Sequence, residues 1–464
     1  MTNELPTWKR KVFNVKKIMH ALMIQFILCL RHITFCTMGN SPNKKGMLLS
    51  LTPVSVDNEQ YYSDLLQFTI QSGYDIWNVN AKFKKILLKV DSQTDADNLY
   101  KLLIDNKLDV DITVVVHDIT KVLIDAHSIK RNKRFSENSE THNLESLLGD
   151  DYLSFNDYVK SIRKMKAQYK QFVRLKRLGK SWNNQSLLVI RIELPLKSQK
   201  PKKIIWIDAG IHGREWISPA SIIYFTWMLL DRIATRNDEI LDLMENFSFY
   251  IMPFVNPDGY IISFVNRANI LRFWRKNARP SNNMCTGVDL NRNFPFAWNE
   301  TNGGASTNPC SEIYRGPEAQ SEPEVKAITN FIGTLQSQVE FVAFLTFHSY
   351  GQFWFYPWGY TKSLTLIDKN DLETLAKIGA YAMTTEMFDD WKVGQSSHMM
   401  YLSSGTSEDW AKAIARIKYT YCIELPPGDD SFNGFVLPKE YIRPVGTIVF
   451  NGIINLLKEI SRRK

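Results

Sequence analysis

The pattern of apolar and polar positions predicts two folded regions of unequal size. In residues 48–129, three strand-like apolar runs, at 48–54, 84–90 and 112–116, alternate with two runs of helical periodicity. This order is typical of the split β-α-β arrangement. We therefore expect a small ferredoxin-like α+β domain over residues 48–129.

The longer region, residues 150–462, alternates between helical periods and apolar strand-like runs. The clearest strands are predicted at 187–192, Lys203–Ala209, Phe247–Met252, 339–347 and 418–425. The clearest helices are predicted at 219–231 and 322–335. Such alternation is typical of an α/β domain with helices packed on a sheet.

The first 39 residues have the organisation of a secretory signal. Basic side chains precede an apolar stretch at 18–30, and small residues follow near Gly39. The stretch is short for a membrane-spanning helix, which needs about 20 residues, although a signal anchor is the alternative. We expect segment 1–39 to be removed, leaving a secreted, extracellular protein with no stable membrane insertion.

Residues 130–149 are predicted to form an exposed activation linker. They begin with Lys130-Arg131-Asn132-Lys133-Arg134, and a polar stretch follows. A dibasic cluster in an exposed linker is a good target for proteases. We expect an activating protease of the proprotein-convertase or trypsin-like type to cut at Arg134; a solvated run of charge is the alternative.

Charge and cysteine content narrow the expected partners. The 464 residues carry a net charge of +9, and the basic residues form short runs rather than the continuous basic face of a nucleic-acid-binding protein. We therefore expect no nucleic-acid partner.

Cys29 and Cys36 would leave with the signal. One plausible bridge then remains, Cys285 to Cys310, together with an odd thiol at Cys422.

Histidines follow two of the predicted strands. Lys203–Ala209 is followed by His212 and Glu215, and the run at 339–347 is followed by His348. A lone His-x-x-Glu is a weak motif, but two histidines and a glutamate are a ligand set that catalytic zinc accepts. If both strands deliver these residues to one sheet edge, the site keeps an open position for water.

Further polar residues fit the same site. Glu424 lies in an apolar strand, where an unpaired carboxylate is costly, so it should be paired, coordinated or catalytic. Beside a metal it would suit a general base. Arg272, Arg275, Asn291 and Arg292 lie between the strands and could hold a carboxylate and polarise a carbonyl. Surface arginines are more often only solvated.

These segments resemble the zinc metallocarboxypeptidase family of carboxypeptidases A and B. Six motifs follow the family's order through nearly all of residues 150–460: His212-Gly213-Arg214-Glu215, Trp274-Arg275-Lys276, Asp289-Leu290-Asn291-Arg292-Asn293-Phe294, His348-Ser349-Tyr350-Gly351-Gln352, Tyr401 before Ser404-Gly405-Thr406-Ser407, and Glu424-Leu425. The N-terminal region resembles the family's inhibitory propeptide. The resemblance implies a mixed eight-stranded twisted sheet flanked by helices and a hydrolase that removes the C-terminal residue of peptides and proteins.

The resemblance also implies the chemistry of the site. One Zn²⁺ would be held by His212, Glu215 and His348. Asp289 would accept a hydrogen bond from His212 and so orient its ring toward the metal. Glu424 would activate the zinc-bound water and pass its proton to the leaving amine.

Further residues would contact the substrate in this family. Arg275 would stabilise the oxyanion. A clamp for the terminal carboxylate would consist of Asn291, Arg292 and Tyr401. The outer substrate subsites would be lined by Arg214, Arg272 and Tyr350. The family's disulfide would be Cys285–Cys310.

Glu408 decides the expected substrate preference. Carboxypeptidases A have an aliphatic residue at this position and carboxypeptidases B an aspartate, so glutamate departs from both. The other residues that the resemblance places around the pocket are Gly359, Ser396, Met400, Ser403 and Cys422. An ion pair in a desolvated pocket discriminates strongly, so we expect release of C-terminal Lys or Arg.

Four alternatives are open from the sequence. One is a regulatory carboxypeptidase that processes prohormones, but that branch of the family generally lacks an N-terminal module like this one. If Glu408 turns to solvent, the same chemistry would act on apolar or aromatic C-terminal residues. A non-catalytic homologue would be expected to lack a ligand, the base or the clamp. A different zinc amidase would not need the carboxylate clamp.

Overall fold

The structure is a computed structural model that describes residues 46–54, 59–80, 84–128, 144–195, 202–266, 269–281, 285–300, 304–429, 431 and 434–463. The predicted signal segment 1–39 and the basic cluster at 130–134 lie outside these residues. Removal of the signal and cleavage at Arg134 therefore stay predictions.

The N-terminal module (residues 46–128) has a four-stranded antiparallel sheet and three helices. Its strands are β1 Met47–Pro53, β2 Asp75–Asn80, β3 Lys85–Val90 and β4 Val110–Val116. Its helices are α1 Glu59–Gln71, α2 Gln93–Asp105 and α3 Ile119–Ser128. The sheet order is β2-β3-β1-β4, and the chain order β-α-β-β-α-β precedes α3. The predicted ferredoxin-like fold is confirmed.

Strand β2 was not predicted from the sequence. Polar residues at Asp75, Asn78 and Asn80 break the alternation that would mark it as a strand. It nevertheless pairs with β3, and its residues Trp77 and Val79 are buried. Two residues of this strand, Ile76 and Trp77, contact a cleft of the C-terminal domain.

The C-terminal domain (residues 144–463) has a mixed eight-stranded sheet in the order β11-β10-β12-β9-β7-β8-β6-β5. Its strands are β5 Val173–Lys180, β6 Ser186–Ile192, β7 Lys203–Ala209, β8 Phe247–Met252, β9 Phe341–Gly351, β10 Phe353–Tyr356, β11 Lys392–Gln395 and β12 Tyr419–Gly428. The predicted eight-stranded sheet is confirmed, and five of these strands match the clearest strands of the sequence.

Helices cover both faces of this sheet. They are α4 Leu144–Gly149, α5 Phe155–Gln168, α6 Ile217–Ala234, α7 Asp238–Asn246, α8 Pro257–Val265, α9 Pro323–Leu335, α10 Lys369–Met383, α11 Ser396–Met399, α12 Ser407–Ala413 and α13 Ile442–Arg462. One apolar core packs the sheet against α6, α10 and α13, and a second core packs its other face against α9. No helix in the described part of the chain is long and apolar enough to cross a membrane.

The folded C-terminal domain begins no later than Leu144. Residues Leu144–Gly149, which the sequence placed in the linker, form helix α4, whose Leu144 and Leu148 are buried in the larger core. Arg443 of α13 bonds to Glu145 and Asp150 at the two ends of this helix. The linker predicted over 130–149 therefore extends no further than residue 143.

The three central strands bring their carboxyl ends to one edge of the sheet. Strand β9 runs parallel to both β7 and β12. The register pairs Ala209 with Phe347, and His348 with Glu424. Residues at and just beyond the ends of parallel strands therefore meet at this edge, where α/β sheets commonly bind ligands.

Candidate metal and catalytic centre

Two imidazoles and a carboxylate meet at this edge. His212 and Glu215 lie in the turn after β7, and His348 lies on β9; all three are buried. The two Nδ1 atoms are 3.3 Å apart. Glu215 Oε1 lies 2.6 Å from Nδ1 of His212, and Oε2 lies 3.3 Å from Nδ1 of His348. The three residues form a group able to hold a metal ion.

The turn that carries His212 depends on a residue without a side chain. A Cβ at Gly213 would lie 2.4 Å from the backbone of Gly259 and 2.8 Å from the carbonyl oxygen of Trp274. Only glycine allows the turn to approach these segments so closely. The close approach helps to place His212 and Glu215 on the same side of the sheet edge.

Asp289 connects His212 to Arg275. Its Oδ1 lies 3.2 Å from Nε2 of His212 and accepts a 3.0 Å hydrogen bond from the amide of Asn291. Its Oδ2 accepts bonds from Nε and Nη2 of Arg275, at 3.1 and 2.9 Å. Burial alone would raise the pKa of Asp289, but Arg275 and His212 hold it well below its usual range. Asp289 thus orients the His212 ring through Nε2, the ring nitrogen opposite to the one that faces Glu215.

The charge state of the group also suits a metal. Burial and Arg275 lower the pKa of His212, which favours the neutral ring that coordination needs. Burial would raise the pKa of Glu215, but the two histidines hold it well below its usual range, so it is an anion. Burial would lower the pKa of His348, but Cys422 and Glu215 raise it well above its usual value, so metal binding would displace a proton from this ring. Two imidazoles and one carboxylate form the three-ligand set of catalytic zinc sites. The residues present therefore fit zinc.

Glu424 faces the same space from β12. Its Oε2 is buried and has no hydrogen-bond partner among the described residues. Burial raises the pKa of Glu424 to about 8, although His348 opposes the rise. An acceptor atom with no partner beside a metal-binding group is available to take a proton from a water.

A cleft lies over this group. His212, Glu215, His348, Glu424 and Arg275 line it. The residues predicted to clamp a terminal carboxylate, Asn291, Arg292 and Tyr401, line it as well. The three predicted metal ligands, Glu424 and the three predicted clamp residues therefore all lie around one cleft.

Loop contacts fix the position of the clamp residues. Asn291 Oδ1 accepts a 2.8 Å hydrogen bond from the amide of Ser407, and Arg292 Nη1 donates to the carbonyl oxygen of Asn291. The predicted disulfide Cys285–Cys310 is present, and it links the segment before this loop to the segment after it. Cys422 is a buried free thiol.

Glu408 lies in the cleft rather than in solvent. It is the second residue of α12 and is 2% exposed. Four further pocket residues of the sequence analysis line the same cleft: Ser396, Met400, Ser403 and Cys422. Gly359 is not among the lining residues; its amide donates to the carboxylate of Asp409. Its role is to place the pocket backbone rather than to form the wall.

The three residues predicted for outer subsites have different environments. Tyr350 and Arg214 line the cleft. Arg272 does not: it is buried, stacks on Trp216 at 3.5 Å, and donates to the carbonyl oxygens of Arg214 and Phe435. Arg272 therefore supports the backbone of the cleft in this structure.

The N-terminal module covers part of the cleft, which the sequence did not reveal. Ile76 and Trp77 are among the lining residues. Trp77 is buried between Phe273 and Phe435, with ring centroids 4.7 and 5.1 Å away. Two positions earlier, both carboxylate oxygens of Asp75 accept from Nη1 of Arg214 at 2.9 Å. The Asp75-x-Trp77 pair was the available signal, but it lies in the strand that periodicity missed.

Comparisons with known proteins agree with this centre. A family model described as zinc carboxypeptidase matches residues 158–452. Carboxypeptidase B of Astacus astacus is 36% identical over 308 residues, which cover 65% of this chain and 96% of that protein. Mast cell carboxypeptidase A of Mus musculus is 32% identical over 400 residues, covering 84% of this chain and 88% of that protein.

A solved structure extends the likeness over both folded regions. The crystal structure of thrombin activatable fibrinolysis inhibitor matches with a TM-score of 0.71 and 28% identity. It covers 91% of this chain and 100% of that chain. The chain belongs to the zinc carboxypeptidase family.

Proposed function

We propose that this zinc carboxypeptidase is a secreted enzyme that releases C-terminal Lys or Arg and is made as a precursor inhibited by its N-terminal module. The single observation that carries the substrate preference is Glu408, a buried carboxylate in the wall of the cleft. Among the described residues, no cation lies within ion-pair distance of this carboxylate. A guest side chain with a positive charge would supply the missing partner.

The proposed mechanism begins with the metal group. His212, Glu215 and His348 would hold Zn²⁺, which when bound would act as a Lewis acid on the scissile carbonyl and on water. Oε2 of Glu424 accepts a proton from the attacking water and delivers it to the nitrogen of the leaving residue. This atom has no other hydrogen-bond partner in the described ranges of the chain, which leaves it free to do so.

Arg275 and the clamp act on the substrate. The guanidinium of Arg275 is held by two bonds to Asp289, so it is already oriented toward negative charge that develops on the carbonyl oxygen. Asn291, Arg292 and Tyr401 bind the terminal carboxylate and restrict cleavage to the last peptide bond. Planar guanidinium groups suit carboxylates because they donate two parallel hydrogen bonds.

The clamp is tested by blocking the end of the substrate. A peptide ending in arginine as a free acid should be cleaved, and the same peptide ending in an amide should not be, because the clamp then lacks its carboxylate. Product release is followed by chromatography after processing of the precursor. Comparable cleavage of both peptides would contradict the clamp and favour a zinc amidase of another kind.

The cleft also has an apolar wall, which would suit substrates with apolar C-terminal residues. Phe355, Cys422 and Met400 pack together beside Glu408 and line the cleft. Such a wall suits the methylene groups of Lys or Arg, but it also suits an apolar guest. The carboxylate favours the basic residues, because an apolar guest would leave Glu408 buried and unpaired.

The N-terminal module is proposed to keep the precursor inactive. Trp77 packs between Phe273 and Phe435, of which Phe435 lines the cleft, and Asp75 bonds to Arg214. Burial would raise the pKa of Asp75, but Arg214 and Lys89 hold it below its usual value, so the pair is charged. Substrate must displace these contacts to reach the metal group. Cleavage in the segment 130–143, proposed at Arg134, would let the module leave.

Loss of these contacts is expected to give the uncut precursor measurable activity. Breaking a buried ion pair or truncating a buried tryptophan each costs about 3–5 kcal/mol. The double variant Asp75→Ala, Trp77→Ala should therefore raise hydrolysis of a small Arg-terminated substrate by the precursor at least about tenfold. Asp97→Ala, an exposed change in the same module, serves as the control. A double variant as inactive as the wild-type precursor would contradict inhibition through these contacts.

A further inference from the structure

The far nitrogen of His348 contacts a hydroxyl that no part of the mechanism above uses. Nε2 of His348 lies 3.3 Å from Oγ1 of Thr346, two residues earlier on β9. Thr346 itself is opposite Asp208 of β7 in the register of the sheet. We propose that Thr346 and Asp208 form a hydrogen-bonded relay that orients His348 for metal binding, as Asp289 does directly for His212.

The orientation of the two rings carries the first step. Both Nδ1 atoms point at Glu215 and at each other, so the metal-facing nitrogen of His348 is Nδ1. A ring that coordinates through Nδ1 in its neutral form carries its proton on Nε2. That proton needs an acceptor, and buried polar groups without one are costly. The hydroxyl oxygen of Thr346 is within reach to accept it.

The second step concerns the group to which the hydroxyl of Thr346 donates its own hydrogen bond. A threonine hydroxyl has one proton to donate, and it can accept at the same time. Asp208 is 1% exposed, and its Oδ2 accepts a 2.7 Å bond from Nε1 of Trp206. Its Oδ1 is buried and has no hydrogen-bond partner of standard geometry among the described residues. The carboxylate therefore has capacity left to accept from Thr346.

The environment of Asp208 supports the same contact. Burial raises the pKa of Asp208 to about 6, while hydrogen bonding from Thr346 and Trp206 opposes the rise. A chain from Nε2–H of His348 to Thr346 and from Thr346 to Asp208 satisfies all three groups. It involves hydrogen bonds only and requires no change of protonation.

The two rings thus differ in what supports them. His212 faces a carboxylate directly, whereas His348 reaches one through a neutral hydroxyl. Groups behind metal-binding histidines fix ring orientation, and their loss typically weakens metal affinity about 10- to 100-fold. Thr346 and Asp208 are therefore positioning residues that act through His348 and do not touch substrate.

The test measures zinc rather than turnover, and it rests on the zinc site of the proposed function. The full-length chain is loaded with zinc, and zinc transfer to a chromogenic chelator is followed for the wild type and for Thr346→Val. Valine keeps the shape of threonine and removes the hydroxyl. We expect zinc to be lost at least about tenfold faster, or bound at least about tenfold more weakly, than in the wild type.

Two matched variants separate positioning from packing. Thr346→Ser keeps the hydroxyl and should restore zinc affinity to within about threefold of wild type, since only a methyl group is lost. Thr420→Val removes a buried hydroxyl from the adjacent strand β12; within the part of the chain that the structure describes, this hydroxyl bonds only to the carbonyl oxygen of Ile417. It should leave zinc affinity unchanged. The absorption spectrum of the cobalt-substituted protein should shift in Thr346→Val and not in Thr420→Val.

Wild-type zinc affinity in Thr346→Val, or equal losses in Thr346→Val and Thr420→Val, would overturn the relay. If Thr346→Val does not fold, Asp208→Asn takes its place, and unchanged zinc affinity there would overturn the relay instead. A wild-type chain that fails to bind zinc would sink the metal site itself, which is a separate result.

Discussion

Glu424→Gln is expected to lower kcat by about a thousandfold or more while the protein keeps its zinc. General acid–base catalysis by a positioned side chain contributes about 10²- to 10⁴-fold, and Glu424 is proposed to take part in two proton transfers in one cycle, from the water and to the leaving nitrogen. Glutamine has nearly the same shape but cannot accept the proton of the attacking water. Glu424 is not one of the three grouped metal-binding residues, so zinc content should stay at one per chain.

The measurement is steady-state kinetics of the processed enzyme on an Arg-terminated peptide, with zinc determined by atomic absorption. Glu340→Gln is the matched control, because it makes the same chemical change at a surface residue paired with Lys203. Near-wild-type kcat in Glu424→Gln would mean that another group is the base. Loss of zinc together with activity would mean that Glu424 helps to hold the metal.

Glu408→Leu is expected to reverse the substrate preference. Removal of the carboxylate should lower kcat/KM for Arg-terminated peptides by about a hundredfold, because truncating one partner of a buried charge pair costs about 2–5 kcal/mol. Hydrolysis of Phe-terminated peptides should rise, because Phe355 and Met400 remain to contact an aromatic ring. The ratio of the two kcat/KM values in wild type and variant is the quantity to measure.

Glu408→Asp provides the control for this change. It keeps the negative charge one methylene further from the guest, so the preference for Arg should weaken without reversing. The carboxylate of Asp409 is beside Glu408, and burial and Glu408 raise its pKa well above the usual value. Removing the Glu408 charge relieves this repulsion, so Glu408→Leu should still fold. An unchanged Arg preference in Glu408→Leu would show that Glu408 does not select the substrate.

Much of the C-terminal domain could be predicted because its central strands are apolar on both faces. Strands β7 and β8 were predicted at their observed bounds, since buried parallel strands form continuous apolar runs. The short strands β10 and β11 and the edge strand β5 were missed. β5 mixes basic and apolar residues at the solvent-exposed edge of the sheet, where periodicity is weak.

The centre was predictable to the extent that its residues follow those strands. His212 and His348 follow or end apolar runs, so their meeting could be inferred from sheet geometry alone. The pairing of Asp289 with Nε2 of His212 required the family resemblance, because the two are 77 residues apart. The contact of Thr346 with His348 had a local signal, since residues two apart on a strand share a face, but buried threonines are common in strands.

The contacts of the N-terminal module inside the cleft could not be predicted from periodicity. They depend on β2, whose polar positions conceal it, and on tertiary packing of Trp77 against two rings from distant segments. The burial of Glu408 was likewise a matter of tertiary structure. A glutamate at the start of a helix is normally exposed, and only the packing of α12 beneath the cleft turns it inward.

The proposed function makes the processed protein a zinc carboxypeptidase selective for basic C-terminal residues. The most direct measurement is kcat/KM of the cleaved wild-type protein on two peptides that differ only in a C-terminal Arg or Phe, with and without a zinc chelator. We expect the Arg peptide to be cleaved at least about a hundredfold more efficiently and the chelator to abolish both activities. Faster release of Phe, or cleavage that persists without zinc, would contradict it.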